Sequence, residues 1–172
     1  HGKFPMLELD DGSMIYESCA IAQYIATKSA SHAGTLCGFD SFEKAQIDAW
    51  VMTGVSFYGA AGSIMYNSLG LRYDMDSFNA SCKSIKENAK MLNTHLAGKT
   101  FMVGQRITLA DLAIFVPMSI AFAWQFDAGF RKAMPNVTAW FERVAAQSCV
   151  TRVAGVAKSC EKAYKPIDYT KM

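Results

Sequence analysis

At 172 residues, 51% of them apolar, the chain suffices for one ordinary domain, or one domain with part of a second, and a sizeable core. Its net charge of +2 is unremarkable, although eight Lys or Arg stand against three acids from residue 131 onward. No basic–aromatic interleaving accompanies them, so a solvated basic face is expected there and direct nucleic-acid binding is not.

The five cysteines, Cys19, Cys37, Cys82, Cys149 and Cys160, are odd in number and widely spread. No C-x-x-C pair or Cys/His cluster points to a metal. Free thiols in a reducing, cytoplasmic setting are the expectation. No secretory pattern is present, but the chain opens on His1-Gly2-Lys3 without a Met. Upstream sequence is therefore expected, and the missing signal carries little weight.

In chain order, residues 2–8 read G-K-F-P-M-L-E, a short strand opened by Pro5, where a missing N–H is tolerable. Asp10-Asp11-Gly12 supplies hairpin turn chemistry, and Met14-Ile15-Tyr16 is the return strand. Glu17-Ser18 then leads a helix with apolar spacing at Ile21, Tyr24 and Ile25. A hairpin with one helix has too little core to stand alone. Residues 1–30 are thus expected to complete a larger sheet, with upstream sequence or a partner covering it.

Small residues over 29–39 mark a boundary, with a linker at 31–39. Asp40 and Glu43 form a capping-box pattern for a long helix carrying Ile47, Trp50, Val51 and Gly54 on its apolar face. Gly54, Gly59 and Gly62 weaken its second half, where a bend or break is expected. A further segment with Ile64, Met65 and Tyr66 follows. The next helix spans 76–96, with Phe78, Cys82, Ile85, Ala89, Leu92 and Leu96 at steps of three and four, and Gly98 ends it.

Residues 101–126 are almost free of charge; Asp111 is the single ionisable residue between Arg106 and Asp127. A helix apolar nearly all round is buried in a core or in a membrane. Thr108 with Asp111 is a capping-box pattern, and Ile107 with Leu112 a staple pair, which favour a core helix of a non-membrane domain. Pro117 is a candidate kink. Met134-Pro135-Asn136 opens another helix with Val137, Trp140, Phe141 and Val144 inward. Residues 150–163 read as a short helical pair around Gly155, and 164–172 as a tail. The fold class is mostly α: part of an α/β unit, then an all-helical domain over 40–163.

This order of elements resembles the glutathione transferase superfamily, in which a thioredoxin-like domain precedes an all-α one. Phe4-Pro5, the turn followed by Glu17-Ser18, and G-x-x-I-T-x-A-D at Gly104, Ile107, Thr108, Ala110 and Asp111 carry the likeness. Within the superfamily, four stretches are similar to the gamma-subunit family of translation elongation factor 1: residues 17–26, 64–67, 92–111, and 130–141 with 158–162. The resemblance makes residues 1–30 the C-terminal part of a thioredoxin-like domain, lacking the strands and helix that hold a transferase's thiol-activating residue. It implies no catalytic residue here and no required cofactor.

On this resemblance a retained glutathione site would use Phe4 beside a cis Pro5, Glu17 for the peptide's amino group, and Ser18 at a helix N-cap for a carboxylate. The implied function is a scaffold: the domain anchors nucleotide-exchange subunits of the complex, with an aminoacyl-tRNA synthetase and a second copy as further candidate partners. The alternative implied by the superfamily is an active transferase conjugating glutathione to electrophiles.

Bland roles compete at each position. Asp111 is expected to be a cap rather than a catalytic acid. Cys19, in a first helical turn, is expected to be a small core residue rather than a reactive thiol. His95 is expected at a helix end and His32 in a loop. Tyr58, Tyr66 and Trp124 have the helical spacing of core residues, with the interdomain cleft as their alternative.

Overall fold

The computed structural model describes residues 4–29 and 33–166; His32 and the last six residues lie outside that range. Strands β1 (Met6–Glu8) and β2 (Met14–Tyr16) pair antiparallel, with Leu7 opposite Ile15. Gly12 takes φ 81, and Asp11 Oδ1 accepts the Ser13 N–H at 2.9 Å to fix the turn. Only Leu7 and Ile15 are partly buried, because a three-residue strand alternates one side chain inward. Met6, Met14 and Tyr16 are exposed, and no described residue of this chain supplies the expected cover.

Helix α1 (Ser18–Lys28) follows the hairpin. The stretch read as a linker holds a short helix, α2 (Ala33–Cys37). Its carbonyls are tied from a distance: Arg106 Nε donates to Thr35 O at 2.9 Å and Nη2 to Gly34 O at 3.2 Å. That tie comes from 71 residues away, so no local signal announced it.

Helix α3 (Ser41–Ser68) is continuous over 28 residues, against the expected break. Asp40 Oδ1 accepts from the Phe42 and Glu43 N–H groups at 2.9 and 2.8 Å. Glu43 reaches back to the Phe39 N–H at 2.8 Å, one residue beyond the usual box partner. Packing explains the missing break. The core helix α5 (Leu109–Trp124) lies along α3 in the most extensive helix contact of the fold. Gly54 is buried against it; a Cβ there would stand 2.9 Å from Ala113 O. Pro117, inside α5, has no N–H for that same carbonyl. The glycine permits backbone approach where the proline has freed an acceptor, and tertiary burial overrides weak propensity.

Helix α4 (Met75–His95) is capped by Asp74, whose Oδ1 accepts the Ser77 N–H at 3.0 Å. The short α6 (Ala128–Ala133) was not anticipated; Asp127 caps it through the Phe130 N–H at 2.8 Å. Helix α7 (Pro135–Ala145) buries Val137, Trp140, Phe141 and Val144. Phe141 stacks on Phe122 at 3.8 Å and on Phe115 at 5.1 Å, joining α7 to α5.

The N-terminus of α7 is capped from α4. Asn93 Oδ1 accepts from the Asn136 and Val137 N–H groups at 2.9 and 3.2 Å, and Asn136 Nδ2 donates to Asn93 O at 2.9 Å. Asn93→Ala is expected to cost about 1–2 kcal/mol, as for a lost N-cap, read by urea denaturation.

Helix α8 (Ser148–Ala154) ends at Gly155, and no second helix follows it among the described residues. The chain instead runs extended along the end of α5. Cys160 N–H donates to Phe122 O at 2.9 Å and Tyr164 N–H to Trp124 O at 2.7 Å, while Gln125 Nε2 donates to Tyr164 O at 3.0 Å. A helix over 156–163 would have withdrawn the Cys160 N–H from the open Phe122 carbonyl of α5. Among the described residues, no helix is long and apolar enough to cross a membrane.

Candidate functional site

Two adjoining cavities lie where α1 meets the helical unit. One, of about 230 Å³, is walled by Ser18 and Cys19 from α1, Val51 and Tyr58 from α3, and Leu112 and Val116 from α5. The other, of about 510 Å³, extends along Glu17, Ser18, Gln23, Met52 and Val55, and Tyr58 borders both. Gln23 Nε2 donates to Asp48 Oδ1 at 2.6 Å, fixing α1 against α3 at this cleft.

Glu17 turns the chain from β2 into α1 at φ 67, the one positive value among the described non-glycine residues. Such a conformation costs about 1–3 kcal/mol and tends to mark functional sites. It also corrects the expectation for Ser18. Glu17 occupies the N-cap position and Ser18 is the first helical residue; the Glu17 side chain makes no capping hydrogen bond. The first-turn N–H groups of α1 are therefore left for solvent or a bound acceptor. The Phe4–Pro5 bond is cis. Phe4 and Pro5 are exposed and border neither cavity, so the structure gathers Glu17 and Ser18 but sets Phe4 and Pro5 outside the cleft walls.

Tyr58 belongs to the cleft, contrary to its expected place in the core. Burial, and then the Cys19 thiol, push its phenol up from the ordinary value, so the hydroxyl is a donor at neutral pH. The i, i+4, i+7 stripe Val51–Val55–Tyr58 was the available sequence signal. Tyr66 is exposed, and Trp124 is partly buried against Tyr164 with ring centroids 5.2 Å apart. Cys19 packs against the core cluster.

Asp111 is fully buried behind this cleft. Its Oδ1 accepts the Met102 N–H and the Trp140 Nε1–H, both at 2.8 Å. Oδ2 accepts the Thr108 N–H at 2.9 Å and the Thr108 hydroxyl at 3.1 Å. Burial pushes the carboxyl above its usual range, against the pull of these donors. The group joins the 101–103 loop, α5 and α7 in one knot.

Arg106 makes the second tie. Beyond its α2 carbonyls it pairs with Glu43, Nη1 to Oε1 at 2.8 Å and Nη2 to Oε2 at 2.9 Å, and covers the Phe39 ring at 4.2 Å. The Arg106 hydrogen bond, with the Phe39 N–H, holds the Glu43 carboxyl below its usual value. A depressed acid stabilises the fold at neutral pH, and that contribution is lost as pH falls through the folded-state value. The protection factor of the Phe39 amide is expected to fall as pH drops below the ordinary carboxylate range, and Glu43→Gln should remove most of that acid dependence.

All five cysteines are free. Burial pushes the Cys82 thiol up to about 11, and those of Cys37 and Cys160 upward as well. Cys149 alone is exposed. A disulfide-exchange reagent at pH 8 should therefore titrate Cys149 first, and Cys149→Ser should remove the fast phase. Cys82 should lag, with roughly one thiol in a thousand ionised.

The basic C-terminal residues are partly structural. Arg131 donates to Phe126 O at 2.7 Å, to Cys160 O and to Glu161, and Arg143 donates to Thr100 O at 2.8 Å.

Residues 69–148 match the family model described as the glutathione S-transferase C-terminal domain. The helical unit has the fold of a glutathione S-transferase C-terminal domain. The chain is 34% identical over 164 residues to elongation factor 1-gamma of Artemia salina, and 31% identical over 163 residues to that of Rattus norvegicus. Each match takes in 94% of this chain, but 37% and 36% of the relative, so the chain spans little more than a third of their length. Among solved structures, the glutathione-transferase-like domain of elongation factor 1-gamma from Saccharomyces cerevisiae aligns with a TM-score of 0.83 at 22% identity, over 96% of this chain and 78% of that one. A glutathione S-transferase of Vibrio parahaemolyticus aligns at 0.70 and 26%, over 91% and 74%. The expected mostly helical, transferase-like fold is thus found, and the likeness to the gamma-subunit family extends over nearly the whole chain.

Proposed function

We propose that this glutathione-transferase-like domain is a scaffold of the translation elongation factor 1 complex. It serves in a gamma subunit and holds nucleotide-exchange subunits in the cytoplasm by presenting a fixed surface. The observation that carries the reading is the elongation factor 1-gamma likeness over 94% of the chain. The ties at Asp111 and Arg106 support it physically, since a fixed surface lowers the ordering cost of association. Further partners in this reading are an aminoacyl-tRNA synthetase and a second copy of the subunit.

The test mixes the full-length protein with a purified exchange subunit in gel filtration, alongside a turnover assay with glutathione and a generic electrophile. Co-elution without turnover is the expected result. Turnover at ordinary transferase rates with no co-elution would overturn the proposal.

Retained glutathione binding is a second reading, favoured by the uncapped N-terminus of α1 beside Glu17 at φ 67. The peptide's carboxylate would take the first-turn N–H groups and the Ser18 hydroxyl, and Glu17 its amino group. Phe4 would pair through its backbone. Calorimetric titration with glutathione, with Ser18→Ala and Glu17→Gln each weakening a measurable affinity, is the expected outcome; no heat with the parent protein would sink it.

A further inference from the structure

A different cleft, of about 410 Å³, shares no wall with the one between α1 and the helical unit. Its size lies within the range of small-molecule sites. Trp50 and Gln46 of α3 form one side, and His95 and Lys99 at the end of α4 another; Met102 and Gln105 close it from the following loop.

The hydrogen bonds around it are asymmetric. His95 Nε2 lies 2.8 Å from Met102 O. A carbonyl only accepts, so Nε2 carries a ring proton. Lys99 Nζ lies 3.2 Å from Nδ1 and 3.4 Å from Nε2, so the ammonium rests against the ring. The imidazole, itself 4.3 Å from the Trp50 ring between centroids, thereby holds the ammonium at the cleft.

Thr100 Oγ1 donates to Gln105 Oε1 at 2.7 Å, which turns the amide N–H₂ of Gln105 to other use. No Asp or Glu stands among the residues that line the cleft. Glu43, which lies beside Gly104, has both oxygens on the Arg106 guanidinium. Lys99 forms no ion pair among the described residues. Its full charge also exceeds the half-charge at the C-terminal end of α4.

We propose that this cleft binds a flat apolar carboxylate. The ring lies along Trp50 and Ala49, and the carboxylate takes the Lys99 ammonium and the Gln105 amide. A fixed cation with no acid beside it selects an anion, and an aromatic wall selects a planar body. A free aromatic acid and the C-terminal aromatic residue of a peptide share this chemistry.

The test is calorimetric titration of the full-length protein with indole-3-acetate, with an acetylated tripeptide ending in Trp as the free acid, and with the amide of each. At least one acid should bind, with its amide about ten-fold weaker, because a hydrogen bond to a charged group is lost. Lys99→Met, at an exposed position, should weaken the acid about ten-fold and leave the amide unchanged, while Lys99→Arg keeps most of the affinity. Binding of indole-3-acetate assigns the site to free acids, and binding of the tripeptide alone assigns it to a chain terminus; either supports the proposal. No heat with either acid, equal binding of acid and amide, or undiminished binding to Lys99→Met would overturn it.

Discussion

Asp111→Ala is expected to lower the stability of the domain by about 4 kcal/mol, the largest loss of any single substitution considered. The carboxylate accepts from the N–H groups of Met102 and Thr108 and from the indole of Trp140, all buried. Each orphaned buried donor costs about 1–3 kcal/mol. Water cannot reach them, because Met102, Thr108 and Trp140 are at most 1% exposed. For a chain of this size each kcal/mol moves the melting temperature by roughly 2–4 °C, so a drop of about 10 °C is expected in thermal unfolding followed by circular dichroism. Asp111→Asn should lose about half as much. Its carbonyl can keep Met102 and Trp140, but its amide would face the Thr108 N–H, donor against donor. A melting temperature within 2 °C or so of the parent for the alanine variant would contradict the reading of Asp111 as the joint of three segments.

The second large effect has opposite signs at two glycines of one helix. Gly54→Ala would place a Cβ 2.9 Å from Ala113 O and 3.0 Å from Ala113 C, backbone atoms with no rotamer to yield. Forcing α3 and α5 apart should cost roughly 3 kcal/mol, and the helix-propensity gain of about 1 kcal/mol recovers a third of it. Gly59→Ala meets nothing within 4 Å and is exposed, so only the propensity gain remains. Urea denaturation should show a loss of about 2 kcal/mol for the first and a gain of about 0.5–1 kcal/mol for the second. Equal signs would mean that α3 does not approach α5 through Gly54.

These two sites also show how far the sequence could be read. Asp111 stands alone in an apolar run behind a Thr, a local pattern, and its place at a helix start was legible. Its acceptance of the Trp140 indole, 29 residues away, was not, because the pattern holds no record of which donors arrive from other segments. Gly54 read as a weak point since propensity is local, whereas the approach of α5 is tertiary. The α2 helix and the extended 156–166 segment escaped for the same reason: Arg106 and the α5 carbonyls that hold them are remote in sequence. In the candidate site, Glu17 and Ser18 were legible through motif likeness. Tyr58 was not, because a helical stripe looks the same whether it faces a core or a cleft. The shift of the cap from Ser18 to Glu17 depends on one dihedral angle that side-chain identity does not specify.

The cap that Asn93 lends to α7 constrains the order in which the molecule assembles. At 11 residues, α7 is shorter than the ~12–15 at which isolated helices hold in water. Its first-turn amides await a side chain 43 and 44 positions earlier in the chain. Helix α7 therefore cannot mature by itself as the chain leaves the ribosome. The hairpin of α3 and α4 closes through near neighbours and is expected to form first, with α7 condensing on it later. In pulse-labelled refolding, the Val137 amide would gain protection together with the docking of α4 and never before it.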